Sequence, residues 1–511
     1  MTDTLTSLLA DHPDDADAIG APDRAWLSHG GLRDLGNRTL RRLAGFGIGP
    51  GDRVAIVLPN GPEMAAAFIA LAQGCVTAPL NPAYREEEYD FYITDLKARA
   101  LVVAADYDGP ALPVARRHGV RVLRLGVKAD SPAGWFDLVD EDGDAPDGTP
   151  AGVGADDIAL VLHTSGTTSR PKIVPLLHRN LAASAGNIGG ALDLTRGDRC
   201  LNVMPLFHIH GLIAATLSSL AAGGSVWCAP GFNALSFFGW LDQAKPTWYT
   251  AVPTMHQAIL ARAKRNTEIV ERADLRFIRS SSASLPPQVM TALAETFSAP
   301  VIESYGMTEA CHQMTSNPLP PRDQKPGSVG IAAGPQVRTA AQSENRLLEP
   351  TDLGEVVISG PNVTPGYEAN EPANASSFFE IDGARWFRTG DQGQFGAEGY
   401  LRIAGRLKEI INRGGEKISP LEVDEVLMDH PAVQQVVTFA MPHDKLGEEV
   451  AAAIVLREGQ AASERDIRDF ASARLADFKV PRKVVVLDEI PKGATGKLQR
   501  IGLAEKLGLA G

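Results

Sequence analysis

The sequence predicts an α/β fold, with a large N-terminal domain of stacked α/β subdomains and a smaller α+β domain at the C-terminus. Before residue 403, short runs rich in Val, Ile and Leu alternate with longer Ala-rich helical patterns. Strands separated by helices favour parallel sheets with crossover helices. The pattern changes at residues 403–405, and a chain of 511 residues exceeds what one hydrophobic core supports. We therefore place the two domains at residues 1–405 and 409–511.

The predicted elements follow from apolar runs bounded by Gly, Pro, Asn and Asp. In the large domain, strands are predicted at residues 53–58, 100–104, 158–162, 225–228, 300–302 and 355–359. Residues 64–80 predict a buried helix and a strand, because a membrane span needs about 20 mostly apolar residues. The polar residues 128–156 predict a surface loop. In the small domain, helices are predicted at 422–428 and 463–475, and strands at 433–439, 450–456 and 484–487.

Composition and charge exclude several classes of protein. Lys and Arg number 49 against 62 Asp and Glu, a net charge of -13, which argues against general binding to nucleic acid. The four cysteines lie far apart without a CxxC pair, which argues against a zinc site and a disulfide framework. The acidic N-terminal residues and the lack of a long apolar run predict a cytoplasmic protein without an integral membrane segment.

The first motif that indicates chemistry is a run of small hydroxyl residues around a glycine at residues 164–172. It follows a predicted strand directly. Backbone N–H groups and hydroxyls in such a loop can donate hydrogen bonds to polyphosphate oxygens, while Lys172 or Arg170 supplies positive charge. The GxxxxGK[ST] spacing of a Walker A loop is absent. Taken alone, the run is equally typical of a Ser/Thr-rich surface loop.

A second motif, at residues 303–309, places an aromatic ring, a glycine, a hydroxyl and a carboxylate close together after an apolar run. The ring of Tyr305 can stack on a purine, and the carboxylate of Glu309 is a suitable magnesium ligand. By itself this motif is weak, because Tyr305 can equally stand at the end of a strand for packing.

A third motif contains Asp391 directly after a Thr-Gly turn, with Arg406 a short distance along the chain. A carboxylate in this position can accept hydrogen bonds from both hydroxyls of a ribose, and the guanidinium can add a donor to the same sugar. The alternative for Asp391 is a local Asx-turn, which is common beside glycine.

A fourth motif presents Lys497 after a segment that contains Gly493 and Gly496. Glycines on the same side of a single lysine suit a charge that enters a site only when the site closes. In isolation, a flexible basic tail explains the same residues.

Together, in this order and spacing, the four motifs resemble the adenylate-forming superfamily of acyl-CoA synthetases, coumarate–CoA ligases, luciferases and peptide-synthetase adenylation domains. The resemblance covers residues 25–500. Ser169, Ile173 and Ser304 stand where glycine is common in the family. The resemblance implies an ATP-dependent ligase that forms an acyl-adenylate and then a coenzyme A thioester, releasing AMP and pyrophosphate. It also implies a small β-barrel in the large domain and a mobile C-terminal domain.

The resemblance assigns roles to residues of the nucleotide site. The implied ATP- and AMP-binding residues are Thr164, Ser165, Gly166, Thr167, Thr168, Lys172, Ser282, Ala283, Ser284, Glu303, Ser304, Tyr305, Thr308, Asp391 and Arg406. Of these, Asp391 and Arg406 hold the ribose, and Thr308 contacts the α-phosphate. Magnesium is implied at Thr164 and Glu309. The implied catalytic residues are Lys497, Thr308, Glu309 and His208.

The resemblance also places the second half-reaction in the small domain. Lys408 falls at the family's hinge position, just after the domain junction. The loop expected to approach coenzyme A after rotation contains Asn412, Gly414, Gly415 and Lys417. Glycines in this loop allow the backbone to approach a thiol tunnel closely.

The implied acid-binding residues are His208, His210, Ser281 and His312. A pocket bordered by histidines and serines favours a second carboxylate, because a buried anion must be paired or well hydrogen-bonded. The sequence around these residues most resembles oxalate–CoA ligases, so we expect oxalate or another short dicarboxylate. A short- or medium-chain fatty acid and an aryl acid remain as alternatives. His312 can also serve only as a structural hydrogen-bond partner.

Rival classes keep some of these residues but explain fewer of them. A metallohydrolase could use His208 and His210 with Glu309 and His312 as ligands, but the nucleotide motifs would then be coincidences. A carrier-protein adenylation domain or a luciferase-like enzyme keeps the fold but not the acceptor. The sequence leaves open the acceptor thiol and whether the chain assembles into a homo-oligomer.

Overall fold

In the computed structural model, the structure describes residues 3–143, 145–164, 171–493 and 497–509. The strands of this part of the chain form four sheets, three before residue 407 and one after it. The separate last sheet and the parallel strands of the first two confirm the predicted α/β class with a distinct C-terminal domain.

The largest sheet is parallel at its centre and antiparallel at both edges. Its strands are short and almost wholly buried, as expected for strands covered by helices on both faces. In spatial order they are Ile331–Ala332, His312–Ser316, Val301–Met307, Phe277–Ser280, Trp248–Ala251, Arg199–Asn202, Ser225–Cys228, Asp17–Gly20 and Leu27–Ser28.

The second sheet resembles the first in having a parallel centre and antiparallel edges. It brings the strand before the predicted phosphate loop next to the strand after it, so that Thr164 is paired with Lys172. In spatial order its strands are Asp137–Asp140, Arg121–Gly126, Ala100–Ala104, Arg53–Val57, Val76–Pro79, Ile158–Thr164 and Lys172–Leu177.

The third sheet is antiparallel and belongs to the large domain, for which a small β-barrel is expected. The long strand Ala384–Phe395 lies at its centre and pairs with Leu401–Arg406, which sets Asp391 opposite Arg406. The other strands of this sheet are Gln336–Ala340, Gly354–Ser359 and Phe378–Ile381.

The C-terminal sheet is built on a long hairpin. The helix Pro420–Met428 covers it, and this helix begins after Ser419, whose Oγ accepts a hydrogen bond from the N–H of Glu422 (3.2 Å). The strands are Ile411–Arg413, Glu416–Ile418, Val433–His443, Gly447–Leu456 and Lys483–Val486.

The helices pack against the sheets and bury them. Several start with proline in the first turn, where its missing N–H costs nothing. The remaining α-helices are Leu5–Leu9, His29–Gly45, Pro62–Leu71, Glu86–Leu96, Ala111–Arg117, His178–Ala191, Ser218–Ala221, Phe237–Ala244, Pro253–Ala263, Thr267–Arg272, Pro287–Phe297, Glu371–Ser377, Glu464–Ser472 and Leu503–Lys506. A π-helix spans His210–Leu217, and 3-10 turns span Thr308–Ala310 and Asp477–Lys479.

Most predicted elements lie where the sequence places them, and one prediction is wrong. Residues 64–80 do form a buried helix, Pro62–Leu71, and a buried strand, Val76–Pro79. The predicted surface loop 128–156 contains the edge strand Asp137–Asp140, because Phe136 and Leu138 are buried in the core. All four cysteines are buried and free. In the described part of the chain, no helix has the length and apolar character needed to cross a bilayer.

The C-terminal domain packs on the rest of the chain through polar contacts. Gln257 Nε2 donates to the carbonyl of Gln434 (3.4 Å), Arg402 pairs with Glu425 (3.7 Å), and Gln288 bonds to Asp429. Between the two parts lies a cavity of about 140 Å³, and Lys497 is one of the residues that line it.

Candidate active site

The edge of the second sheet frames the predicted phosphate loop. Thr164 is the last residue of its strand, and Lys172 is the first residue of the strand that pairs with it. The predicted loop residues Ser165, Gly166, Thr167 and Thr168 lie outside the described residues.

Tyr367 connects the phosphate-loop lysine to the predicted magnesium ligand. Its hydroxyl donates a hydrogen bond to Oε1 of Glu309 (2.8 Å), and the Lys172 ammonium lies 4.3 Å from the centre of its ring. Glu309 is buried and lies in the 3-10 turn Thr308–Ala310. The hydrogen bond from Tyr367 and the short turn together fix the position of its carboxylate. Tyr367 was not singled out by the sequence motifs.

The predicted ribose-binding residues form one cluster with Tyr305. The Tyr305 hydroxyl donates to Asp391 Oδ2 (2.5 Å), and Arg406 Nε lies 3.1 Å from Asp391 Oδ1. Burial raises the pKa of Asp391, while Arg406 and the Tyr305 hydroxyl oppose this change. The neighbouring Asp391 carboxylate raises the pKa of Arg406. Asp391 is therefore held by two donors, the Tyr305 hydroxyl and the Arg406 guanidinium.

The residues predicted to surround adenine lie at the ends of the parallel strands. Glu303 is buried and accepts a hydrogen bond from the N–H of Leu285 (2.8 Å), and burial raises its pKa to about 8. Ser281 Oγ donates to the carbonyl of Ser304 (2.9 Å), tying two neighbouring strand ends together. Ala283 and Ser284 line the cavity between the domains.

Lys497 belongs to the C-terminal domain and lines the cavity between this domain and the large domain. Burial and, to a smaller extent, the charge of Arg406 lower the pKa of Lys497 to about 8, while the carboxylates of Asp391 and Glu309 oppose this change. Burial lowers the pKa of His208, and the positive charge of Lys497 lowers it further. Although Lys497 lies far along the chain from these groups, its ammonium is therefore close to the predicted ribose, magnesium and acid sites together.

Of the predicted acid-binding histidines, His210 and His312 are buried and His208 is partly buried. The rings of His210 and His312 lie 5.1 Å apart, and burial lowers the pKa of both well below the usual value. Burial likewise lowers the pKa of His208 to about 3, and the backbone N–H of His210 donates to His208 Nδ1 (3.3 Å). Nε2 of His312 has no hydrogen-bond partner among the described residues. This leaves an unused polar atom at the predicted acid pocket.

Local backbone geometry explains how these side chains meet. His312 does not continue a helix from Glu309, because Cys311 and His312 have φ values of +49° and +95° and turn the chain into a strand. Gly306 allows the close pairing, since an added Cβ would lie 1.7 Å from the carbonyl oxygen of His312. Ser282 also has a positive φ, +74°, and its Oγ lies 3.0 Å from Nδ1 of His210. The Ser282 hydroxyl therefore contacts a predicted acid-binding residue, although the resemblance places Ser282 beside adenine.

Arg279 is a charged neighbour of these histidines that the sequence motifs did not identify. It is fully buried in the strand Phe277–Ser280. Its Nη1 lies 3.5 Å from His210 Nε2, and its Nη2 lies 3.5 Å from His312 Nδ1. The only sequence signal is an arginine within an otherwise apolar strand, next to the serine run.

Comparison with known protein families agrees with this geometry. A family model described as AMP-binding enzyme matches residues 7–368, and a model of the AMP-binding enzyme C-terminal domain matches residues 422–497. The chain belongs to the AMP-binding enzyme family. This confirms the predicted adenylate-forming superfamily.

Similarity to individual members of the family extends over nearly the whole chain. An oxalate–CoA ligase from Arabidopsis thaliana is 45% identical over 507 residues, which cover 98% of both chains. An oxalate–CoA ligase from Saccharomyces cerevisiae is 41% identical over 476 residues, covering 89% of this chain and 86% of the relative. A crystal structure of ATP-bound MatB from Rhodopseudomonas palustris superimposes with a TM-score of 0.87 at 30% identity, covering 99% of each chain. The predicted class, an ATP-dependent acid–thiol ligase, is confirmed.

The metallohydrolase alternative finds no support in this AMP-binding enzyme. Within the described ranges, no group of three or more His, Cys, Asp and Glu side chains is arranged to hold a metal ion. His210 and His312 instead face Arg279, a cation that opposes binding of a second cation.

The predicted coenzyme A loop and hinge of this AMP-binding enzyme lie on the surface. Asn412 and Lys417 are exposed on the hairpin formed by Ile411–Arg413 and Glu416–Ile418. Gly414 and Gly415 form its turn with φ values of +60° and +99°. Lys408 is exposed between the third sheet and this hairpin. The hairpin is therefore exposed, whereas Lys497 lines the cavity between the two domains.

Proposed function

We propose that this enzyme joins oxalate, or failing that another short dicarboxylate, to coenzyme A through an acyl-adenylate. One observation carries the choice of acid: the buried, neutral rings of His210 and His312 lie 5.1 Å apart at the acid side of Lys497, with the Nε2 of His312 unpartnered among the described residues. An alkyl chain would leave Nε2 of His312 unsatisfied at a cost of about 1–3 kcal/mol. A carboxylate satisfies it.

In the first half-reaction, the acid carboxylate attacks the α-phosphorus of ATP and pyrophosphate leaves. Negative charge develops on the phosphoryl oxygens, and Lys497, with a pKa of about 8, stabilises it as a cation at neutral pH. Thr308 is proposed to contact the α-phosphate. Asp391 and Arg406 are proposed to hold the ribose, with Tyr305 supporting Asp391.

Magnesium is proposed to bind at Glu309 and Thr164. Both offer oxygen, the donor that Mg²⁺ prefers, and the Glu309 carboxylate is fixed by the Tyr367 hydroxyl (2.8 Å). When bound, the ion neutralises charge on the phosphate oxygens. Ser165, Gly166, Thr167, Thr168 and Lys172 are proposed to grip the same phosphates.

In the second half-reaction, the thiol of coenzyme A attacks the acyl carbon and AMP leaves. This step is proposed to follow rotation of residues 409–511 about Lys408, which exchanges Lys497 for the exposed hairpin that carries Asn412, Gly414, Gly415 and Lys417. The rotation would leave residues 1–405 with the acyl-adenylate still bound. His208, beside both Lys497 and the acid site, is proposed to border the route between them.

A pyrophosphate-release screen with oxalate, malonate, acetate, hexanoate and coumarate tests the proposed acid. We expect oxalate to give the highest kcat/KM. His312→Ala should lose oxalate activity by about 100-fold while its affinity for ATP stays within about twofold, because it removes a buried donor from the acid side only. His29→Ala is the matched control: His29 is equally buried but bonds to the carbonyl of Gly224 (3.1 Å) at the far edge of the sheet. Faster turnover of hexanoate or coumarate would contradict the proposal.

A further inference from the structure

Arg279 is an isolated charge in the interior of the large domain. Its side chain is fully buried, and among the residues that the structure describes it forms no salt bridge with an aspartate or glutamate. Burial lowers the pKa of Arg279 to about 9, which leaves it positive at neutral pH. A buried guanidinium without a counter-ion is costly, so its retention suggests an anion that is not part of the chain.

The protein partners of Arg279 are neutral acceptors. Nη2 donates to Oε1 of Gln313 (3.1 Å), and Gln313 is fixed because its Nε2 donates to the carbonyls of Asn187 (3.2 Å) and Ala333 (3.5 Å). The other neighbours are His210 and His312, both at 3.5 Å. These groups hold the guanidinium in place without cancelling its charge.

The contacts also fix how each histidine carries its proton. A guanidinium only donates hydrogen bonds, so the ring nitrogen that faces it must be an acceptor. His312 faces Arg279 with Nδ1, which places its N–H at Nε2, the atom without a partner among the described residues. His210 Nε2 lies 3.5 Å from Arg279 Nη1 and 2.6 Å from Thr250 Oγ1, and with Nε2 accepting from both groups, Nδ1 donates to Ser282 Oγ (3.0 Å) and the Ser282 hydroxyl hydrogen is free to donate.

We propose that Arg279 is the positioning residue that makes this pocket selective for the second carboxylate of a short dicarboxylate, by directing donors from His312 and Ser282 toward it and by supplying its positive charge. This inference rests on the proposed function. The inference goes beyond the proposed function because it assigns the preference for a dicarboxylate to Arg279, a residue that contacts the acid-site histidines rather than the acid.

The test compares oxalate with oxamate, which has the same size but replaces one carboxylate with a neutral amide. For the wild type we expect kcat/KM to favour oxalate by about 100-fold. Arg279→Gln should reduce that preference by about 30-fold, chiefly by raising the KM for oxalate, because it removes a charge-assisted interaction. Arg279→Lys should restore most of the preference, since it restores the charge.

Gln313→Glu supplies a second variant that leaves Arg279 in place. The new carboxylate would lie against Nη2 and neutralise the guanidinium internally. The change also removes the bonds from Gln313 Nε2 to the carbonyls of Asn187 and Ala333, so a purely structural role for Arg279 predicts equal losses with oxalate and oxamate, whereas the proposed role requires the oxalate preference to fall by about 30-fold. Arg276→Gln is the control, since Arg276 stands just before the same strand but pairs with Asp198 (2.8 Å). It should keep the wild-type preference.

The pH profile gives a readout that a loss of packing would not produce. Burial is the largest cause of the lowered pKa of His312, and the charges of Arg279, His208 and Lys497 lower it further. Removal of Arg279 therefore lets the pKa of His312 rise, and a protonated imidazole binds oxalate better. In Arg279→Gln, kcat/KM for oxalate should increase as pH falls, a trend that the wild type lacks.

The outcomes separate this inference from the proposed function. If the wild type does not prefer oxalate to oxamate or to monocarboxylates, the proposed acid is wrong. If the wild type prefers oxalate but Arg279→Gln and Gln313→Glu keep that preference, the role of Arg279 is wrong while the proposed function stands. Equal losses with oxalate and oxamate, independent of pH, would also overturn it.

Discussion

The hydroxyl of Tyr367 lies 2.8 Å from Oε1 of Glu309, and its ring lies under the ammonium of Lys172 at 4.3 Å. One side chain thus joins the end of the phosphate-loop hairpin to the carboxylate proposed to hold magnesium. The two interactions use different parts of the tyrosine, so they can be separated by mutation.

Tyr367→Phe keeps the ring under Lys172 and removes only the hydrogen bond to Glu309. We expect the magnesium concentration for half-maximal pyrophosphate release to rise by about tenfold, because a charge-assisted hydrogen bond contributes about 1.5–3 kcal/mol. Tyr400→Phe is a matched control, since Lys325 lies 4.3 Å from the Tyr400 ring and the Tyr400 hydroxyl donates to the carbonyl of Asp323 (2.8 Å) away from the site. An equal magnesium dependence in both variants would refute the link.

The rate of adenylate formation should fall as pH rises through about 8. Burial lowers the pKa of Lys497 to about 8, so the lysine is a cation below that pH and neutral above it. Since kcat/KM reports ionisations of the free enzyme, the alkaline limb should be visible in kcat/KM for ATP. Lys497→Arg, whose guanidinium stays charged, should be slower but lack the limb. A wild-type profile that is flat up to pH 10 would contradict this assignment.

Arg500 should control how Lys497 is presented. Its Nη2 lies 2.9 Å from Asp424 Oδ2 and its Nε 3.2 Å from Glu409 Oε2, which ties the lysine segment to the residue after the proposed hinge. Arg500→Met leaves two partly buried carboxylates unpaired, so we expect a loss of about 3 kcal/mol in the unfolding free energy of the C-terminal domain. Chemical denaturation measures the loss of unfolding free energy. Adenylation kinetics measure the effect on how Lys497 is presented.

The control for Arg500 is Lys483→Met, which breaks a more exposed pair with Glu464 (3.0 Å) in the same domain. That change should cost under about 1 kcal/mol and leave adenylation unaffected. Comparable losses in the two variants would mean that Arg500 has no special part in placing Lys497.

Gly306→Ala should disrupt the acid site through the backbone. The added Cβ would lie 1.7 Å from the carbonyl oxygen of His312, so the strand that carries His312 must shift. We expect a loss of about 3 kcal/mol in unfolding free energy and the loss of oxalate activity. Gly186→Ala is the converse case, because its added Cβ meets open space in the helix His178–Ala191. Calorimetry should show it stabilised by about 0.5–1 kcal/mol.

The sequence predicts elements best where the local pattern and the packing agree. The strands Ala100–Ala104 and Ser225–Cys228 lie where predicted, because continuous apolar runs between turn residues suit strands buried on both faces. Asp137–Asp140 was missed because acidic residues begin and end it. Only the fold shows that Asp140 is buried and paired with Arg121 across the sheet.

The site shows the same division between local and long-range information. Tyr305, Glu309, Asp391 and Lys497 stand in recognisable motifs. The fold bonds Tyr305 to Asp391 and brings Lys497 within electrostatic range of Asp391 and Glu309. Arg279 does not stand in a motif, because its partners His210 and His312 are 69 and 33 residues away in the sequence. A single arginine in a strand carries no sign of such neighbours until the strands Trp248–Ala251 and Val301–Met307 are placed beside it.

The central claim, an oxalate–coenzyme A ligase that works through an adenylate, is tested most directly by product analysis of one reaction. Purified enzyme is incubated with oxalate, ATP, magnesium and coenzyme A, and nucleotides and thioesters are separated by chromatography with mass detection. We expect oxalyl-CoA, AMP and pyrophosphate in equal amounts, with no thioester when Lys497 is replaced by alanine. Formation of ADP and phosphate instead, or a thioester only with other acids, would contradict an oxalate–coenzyme A ligase.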